Sequence, residues 1–177
     1  MTLPGKCAKC LKTGLLGDSM ILSNQLVAFT LDEQSFALRL ASVEEAARMM
    51  EITPLPRAPR VVLGVVNIRG RIIPVFDPRK RFHLPEREID PGDHLLIARS
   101  SRRRVALAVD EVSGLVECAD EKIVASDAIL PRIDYVEGVL RLDDGILLIH
   151  DLDLFLSLDE EESLDESMKV EHDRQPS

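Results

Sequence analysis

The stretch Gly64-Val65-Val66-Asn67-Ile68-Arg69-Gly70-Arg71-Ile72-Ile73-Pro74-Val75-Phe76-Asp77 decides how this chain is read. Val66 and Ile68 alternate with Val65, Asn67 and Arg69, and beyond the Arg69-Gly70 corner Ile72, Ile73, Val75 and Phe76 resume the apolar pattern. β-Branched residues at this density favour strand over helix, because the branched Cβ packs well on a pleated surface. Pro74 has no N–H to give a ladder, so it marks an edge or a bulge and not the middle of a central strand. Gly70 is free to take the left-handed conformation of a tight turn. The expected product is a ridge of two short strands carrying one conspicuous charged group, the Arg69 guanidinium.

On the N-terminal side, Pro54, Pro56 and Pro59 make a stiff connection into Arg60-Val61-Val62-Leu63, where a single helical turn fits. Further upstream, Val27, Phe29 and Leu31 share one face, and Phe36, Leu38 and Leu40 repeat the alternation after an Asp32-Glu33-Gln34 turn. These segments predict a hairpin. Ser42-Val43-Glu44-Glu45-Ala46-Ala47 is ambiguous. Ser42 and Glu45 have capping-box spacing, yet Ile52-Thr53-Pro54 stops any long helix, so a short helical turn and a bent strand both fit.

Downstream, residues 77–92 carry prolines at 78, 85 and 91 among charges and read as an exposed crossing loop. Leu95–Ala98 and Arg104–Val112 predict a second hairpin around Ser100-Ser101-Arg102-Arg103. There Val105, Leu107 and Val109 point inward, with Ala106 and Ala108 between them. Alanines on the opposite face imply close approach there too, so this strand is expected to be shared by two packed layers. Gly114-Leu115-Val116 continues the sheet, and Tyr135–Leu142 and Ile146–Ile149 flank an Asp143-Asp144-Gly145 turn. Asp151 is a suitable N-cap for a short helix to Leu158 with Leu152, Phe155 and Leu156 on one face.

The expected architecture is all-β, with eight to ten short strands, hairpin turns at regular intervals and closed or nearly closed barrels that remove exposed edges. A length of 177 residues suits one domain or two small interlocked lobes. With 45% hydrophobic but only 3% aromatic residues, the core must be aliphatic. Residues 1–23 read as a loose arm, 24–158 as the domain, and 159–177 as an acidic tail too charged to fold alone. Eight carboxylates between Asp159 and Arg174 face only Lys169 and Arg174, so six of the nine net negative charges lie there. The body is nearly balanced and gives no electrostatic reason to seek DNA or an anionic membrane.

No apolar run approaches the roughly 18 residues of a membrane span, no secretory signal is evident, and three cysteines do not build a disulfide framework. The expected compartment is the cytoplasm. Cys7 and Cys10 have the spacing of half a zinc site, but Cys118 is the only other cysteine; incidental thiols, a shared metal or crosslink, and redox chemistry stand in that order.

Catalytic signals are absent. His150-Asp151 lacks a nucleophile elbow, and His83 and His94 have no partner at metal spacing. Asp77, Asp110 and Asp151 each end an apolar run, where capping is a stronger reading than a convergent site. Arg102-Arg103-Arg104 is the one basic cluster, without the aromatics that base stacking needs, and reads first as a solvated hairpin tip. A β-barrel nucleic-acid binder is the alternative function, and an enzyme the third; no cofactor is expected.

The run Asn67-Ile68-Arg69-Gly70-Arg71-Ile72-Ile73-Pro74-Val75-Phe76-Asp77-Pro78-Arg79-Lys80-Arg81-Phe82 resembles the signature stretch of the CheW-like family. Gly64, Val105–Leu115, Asp134–Leu142 and Gly145–Leu156 add similarity in the family's order, over roughly residues 24–158. The resemblance implies two intertwined five-stranded SH3-like barrels with short helical turns and a short C-terminal helix. It implies a non-catalytic adaptor that couples methyl-accepting chemoreceptor cytoplasmic tips to the regulatory domain of a CheA-type histidine kinase. It also implies that Gly64 and Arg69 lie in or beside the contact region, with Asn67 and Gly70 shaping the corner. Two departures stand out: Pro78 where an aliphatic residue is usual, and His150 inside the final apolar segment.

Overall fold

The computed structural model describes residues 24–119, 122–125, 135–155 and 158–174. Cys7, Cys10 and the expected N-terminal arm lie outside the described residues. The first hairpin forms from β1 (Asn24–Leu31) and β2 (Gln34–Arg39), in register from Leu26↔Arg39 to Leu31↔Gln34. Its two corner residues, Asp32 and Glu33, both have positive φ, the backbone that matches the twist of paired strands.

The ambiguous segment resolves as a 3-10 turn at Leu40–Ser42 followed by β3 (Val43–Arg48). Ser42 does not cap a helix. Pairing with β6 (His94–Arg99) overrides the helix-forming composition of β3. The signature ridge is β4 (Val62–Ile68) and β5 (Arg71–Phe76), joined by the two residues Arg69 and Gly70. β7 (Arg104–Val109) pairs with β6 in the expected second hairpin. The chain then runs through β8 (Glu111–Cys118), β9 (Ile123–Ala125), β10 (Val136–Leu142) and β11 (Gly145–His150).

Two sheets result, with strand orders β8-β1-β2-β11-β10-β9 and β3-β6-β7-β5-β4. The fold is mostly β, as expected. Among the described residues the division is six and five strands, however, and the pairing there closes neither sheet into a barrel. Each sheet contains one parallel seam, β2 with β11 and β5 with β7, made where the chain returns after a long excursion. The first sheet is begun by β1 and β2, left for the whole of the second sheet, and completed by β8–β11. That path interlocks the two lobes.

Apolar residues separate into three clusters. Leu26, Ala28, Ala37, Leu140, Leu147 and Ile149 pack on one face of the first sheet. Val66, Ile73, Val75, Leu95, Ile97 and Ala106 do so for the second. Between the sheets lies a shared core with Phe29, Phe36, Leu38, Val65, Phe76, Leu96, Leu107 and Phe155. Period-2 alternation therefore sends Val27 and Phe29 into the shared core but Leu26 and Ala28 into the first sheet's own cluster. Val105, Leu107 and Val109 likewise face the shared core while Ala106 and Ala108 face the second sheet's cluster, which accounts for the small residues there.

Of the two positions expected for Pro74, an edge and a bulge, the edge is not found. Pro74 sits in an interior strand, beside the register shift between Val62 and Gly64, and local pairing explains why it is tolerated there. Val65 turns its N–H and carbonyl toward Thr53, at 2.8 and 2.9 Å, so the facing pair Val65↔Pro74 exchanges no ladder bond. On its other side β5 pairs with β7 only from Val75 onward. Pro74 thus costs the sheet no hydrogen bond.

Residues 77–92 are not wholly an exposed loop. Asp77 caps a short helix, α1 (Pro78–Arg81), by accepting from the Arg79 amide at 3.0 Å, with Pro78 at the first helical position. Asp151 also caps as expected, accepting from the Asp153 amide at 2.8 Å, although the turn it starts is only Leu152–Leu154. The largest correction concerns the acidic end. Leu158–Arg174 is a 17-residue helix, α2, and Leu164 within it is fully buried against the shared core. Charge alone suggested an unstructured tail, but one buried leucine and basic partners on the body hold this helix. Among the described residues, no helix is long and apolar enough to cross a membrane.

Candidate protein-interaction site

The β4–β5 hairpin brings Gly64, Asn67, Arg69 and Gly70 onto one element, with different environments. Arg69 and Gly70 both have positive φ, +52° and +79°. A two-residue loop of this kind twists in the sense of the strands it joins. The turn leaves Arg69 projecting from the ridge. Its side chain is 81% exposed and donates from Nη2 to Glu45 Oε2 at 2.9 Å. Glu45 stands on β3, at the opposite edge of the same sheet, so this pair spans the curl of that sheet. Asn67 is exposed and pairs across the hairpin with Ile72.

Gly64 belongs to the buried base of the hairpin. It lies at a bulge in the β4–β5 register, and a Cβ added there would stand 2.2 Å from the Thr53 carbonyl oxygen. Its smallness lets Thr53 bridge to Val65. Gly64 is a packing residue, whereas Asn67, Arg69 and Gly70 lie at the surface.

Several other charged groups are paired inside the fold. Asp110, where β7 turns into β8, receives Arg79 Nη2 at 2.6 and 2.5 Å, Arg87 Nη2 at 2.7 Å and the Asp32 amide at 2.9 Å. Burial pushes the Asp110 carboxyl up, but Arg79, the Asp32 amide and Arg87 together hold it below the usual carboxylate range. Asp77 moves the other way, raised by burial. Asp77, Asp110 and Asp151 therefore form caps and an ion-pair hub. Among the described residues, no group of three or more His, Cys, Asp or Glu side chains is placed to hold a metal ion.

The basic triplet is not simply a solvated tip. Arg104 donates from Nε to both carboxylate oxygens of Glu44, and Arg103 pairs with Glu161 and Asp165 of α2; Arg102 is exposed. Sequence reasoning missed Glu45 as the partner of Arg69; alternation along β3 puts Glu45 on the half-buried face with Val43 and Ala47, while Glu44, Ala46 and Arg48 are exposed. It also missed Asp110 as a hub, because its arginine partners come from α1 and from the loop before β6, both distant in sequence.

Two interlocked β lobes, several of whose arginines pair with carboxylates of the fold while Arg69 projects from a two-residue turn, present the β4–β5 hairpin as the candidate docking surface. The family model of the CheW-like domain matches residues 25–162. The chain is 28% identical over 146 residues to the chemotaxis protein CheW of Treponema pallidum, covering 79% of this chain and 86% of that protein. Against the chemotaxis protein CheW of Rhizobium meliloti it is 29% identical over 141 residues, 78% of this chain and 91% of the relative. The crystal structure of scaffolding protein TtCheW from Thermoanaerobacter tengcongensis superposes with a TM-score of 0.72 at 26% identity, over 78% of this chain and 96% of that one. The chain belongs to the CheW-like family of chemotaxis adaptors, and it is a non-catalytic signalling scaffold.

Proposed function

We propose that this adaptor couples the cytoplasmic tip of a methyl-accepting chemoreceptor to the regulatory domain of a CheA-type histidine kinase in the cytoplasm, and that the Arg69 hairpin is a principal contact. The observation that carries the reading is Arg69 itself: 81% exposed, on a turn whose geometry is fixed by two positive-φ residues. Its partner among the described residues, Glu45, is one-third exposed and can be exchanged for a partner carboxylate without stranding a fully buried charge. Guanidinium–carboxylate pairing is directional and charge-assisted, which suits specific docking. Asn67 and Gly70 flank it on the same surface, while Gly64 supports the hairpin from below. We read the two curled sheets, each with its own apolar cluster, as the family's two intertwined barrels.

Arg69→Glu tests the assignment by titration calorimetry against the receptor tip and the kinase regulatory domain separately. Loss of one partner of an interfacial charge pair costs about 2–5 kcal/mol, against roughly 8 kcal/mol for a micromolar complex. Binding to at least one of the two proteins should nearly vanish, while Arg102→Glu should do much less. Unchanged binding to both would place the contact surface elsewhere.

A further inference from the structure

Among its described side chains, α2 meets the body through one stripe, with Ser163 and the buried Ser167 beside it. Glu160, Glu161, Leu164, Asp165 and Met168 follow helical spacing along that stripe. Glu160 pairs with Arg81 of α1, and Glu161 and Asp165 pair with Arg103 at the β6–β7 tip. Leu164 and Met168 rest on the shared core, and Ser163 Oγ donates to the Arg57 carbonyl at 3.3 Å. The opposite side, with Glu162, Glu166, Lys169 and Val170, is exposed. The family match ends at residue 162, so Leu164, Asp165 and Met168 lie beyond the shared domain.

The fit between helix and body is incomplete. Among the described residues, Arg81 Nε and Arg103 Nε are buried without hydrogen-bond partners. Glu161 Oε2 approaches Arg103 Nη2 to 3.0 Å, near enough for charge attraction, but is misaligned and makes no hydrogen bond. Buried donors left unsatisfied mark a site that a better-matched acceptor would occupy more favourably. The surface under α2 is an apolar floor rimmed by arginines, and its present occupant is an acidic amphipathic helix.

We infer that α2 is the intramolecular occupant of a docking groove for an acidic amphipathic helix of a partner protein, which displaces α2 and takes over Arg81 and Arg103. The partner helix presents an apolar side chain at the Leu164 position, with carboxylates one turn before it and beside it. α2 then acts as a built-in competitor. Tethering places it at an effective concentration in the millimolar range, so only a helix with better-aligned carboxylates or a larger apolar anchor succeeds. This groove is separate from the Arg69 hairpin, and the inference does not rest on the role given to that arginine.

The test uses the full chain and a synthetic peptide of residues 158–174 as the probe helix. Leu164→Asp in the protein expels α2 from the groove, and the peptide should then bind at least tenfold more tightly than it binds the unsubstituted chain. That binding should weaken as salt is raised, because its rim contacts are partly exposed ion pairs, and a peptide with lysines in place of Glu161 and Asp165 should not bind. A full chain carrying E161K and D165K, which keeps the apolar anchor, serves as the second release variant. Equal peptide affinity for released and unsubstituted chains overturns the inference. So does loss of folding in both variants, which would make α2 a structural element. A concentration-dependent dimer of the unsubstituted chain, abolished by Leu164→Asp, would make a second copy the occupant and overturn it likewise.

Discussion

Arg69 holds a left-handed backbone at φ +52°, a region that costs an L-residue about 1–2 kcal/mol. Its mostly exposed pair with Glu45 returns at most about 1 kcal/mol. Arg69→Gly should therefore leave stability in urea unchanged or raise it by up to about 1 kcal/mol, while removing partner binding. A clear loss of stability would show that the Glu45 pair fastens the two edges of its sheet. Gly64 is the opposite case. Its Cβ would collide with the Thr53 carbonyl and break the Thr53–Val65 bridge, so Gly64→Ala should destabilise by about 3 kcal/mol or more. Weakened binding by that variant would then follow the unfolded fraction, which a thermal melt of the free protein reveals. His150 carries a pH dependence. Its Nδ1 lies 2.9 Å from the Tyr135 carbonyl and must carry the hydrogen, leaving Nε2 buried with no partner among the described residues, the imidazole stacked on Phe82 with ring centroids 4.1 Å apart. Burial lowers its pKa to about 4, outweighing the Tyr135 hydrogen bond. The unfolded chain takes up this proton first, near pH 6.5, so stability falls as pH drops from about 6.5 toward about 4, by about 2 kcal/mol at pH 5. In His150→Phe the Tyr135 carbonyl still accepts from the Asp151 amide at 3.1 Å. That variant should be at least as stable at pH 7 and should lack this component of the slope, as urea titrations at pH 7 and pH 5 would show.

Among elements, legibility followed how locally each is determined. The β1–β2, β4–β5, β6–β7 and β10–β11 hairpins were readable because alternation and turn residues sit within one short window. β3 was not, since Val43–Arg48 is composed of good helix formers and becomes a strand only by pairing with β6, some fifty residues away. The surface placement of Arg69 and Asn67 followed from the same local pattern. The buried setting of Gly64 depends on Thr53, whose approach no periodicity announces. α2 was hidden for a related reason. Its composition is that of a solvated tail, and its docking depends on Arg81 and Arg103, far away in sequence. A 17-residue helix of this composition is marginal by itself, so its order should track one anchor. Leu164→Ala, which removes about 2–5 kcal/mol where a leucine is fully buried, should speed amide exchange across α2 toward that of a free peptide and leave β6 and β7 protected. Uniformly faster exchange throughout the protein would instead make α2 part of the cooperative core.

At the scale of the molecule, the chain's excursion from the first sheet to the second and back makes the lobes interdependent. Phe29, Phe36 and Leu38 from one sheet and Phe76, Leu96 and Leu107 from the other fill the same shared core, so neither lobe can keep its packing if the other opens. Asp110 reinforces this at the crossover. It gathers the β1–β2 turn through the Asp32 amide, α1 through Arg79, and the loop before β6 through Arg87. Arg79 has a side chain only 6% exposed, and its other polar contacts, to Pro85 O at 3.3 Å and Asp32 at 3.9 Å, are long. Removing Asp110 therefore leaves a buried guanidinium without its main counter-charge, a defect of about 3–5 kcal/mol where burial is complete. Asp110 is itself partly exposed, so Asp110→Ala should cost toward the lower end of that range. The loss should appear as one shifted transition, because the shared core ties both sheets to the same event. The acid limb should change as well. With a folded carboxyl held below its unfolded value, Asp110 contributes stability above the ordinary carboxylate pKa and loses it as pH falls through the depressed one. Asp110→Asn keeps the shape and some hydrogen bonds but not the charge, so it should be less stable than the unsubstituted chain at pH 7 and nearly equal to it at low pH. Two resolved unfolding steps in Asp110→Ala, with the second sheet's amides exchanging before the first's, would mean the lobes are separately stable and Asp110 only fastens them.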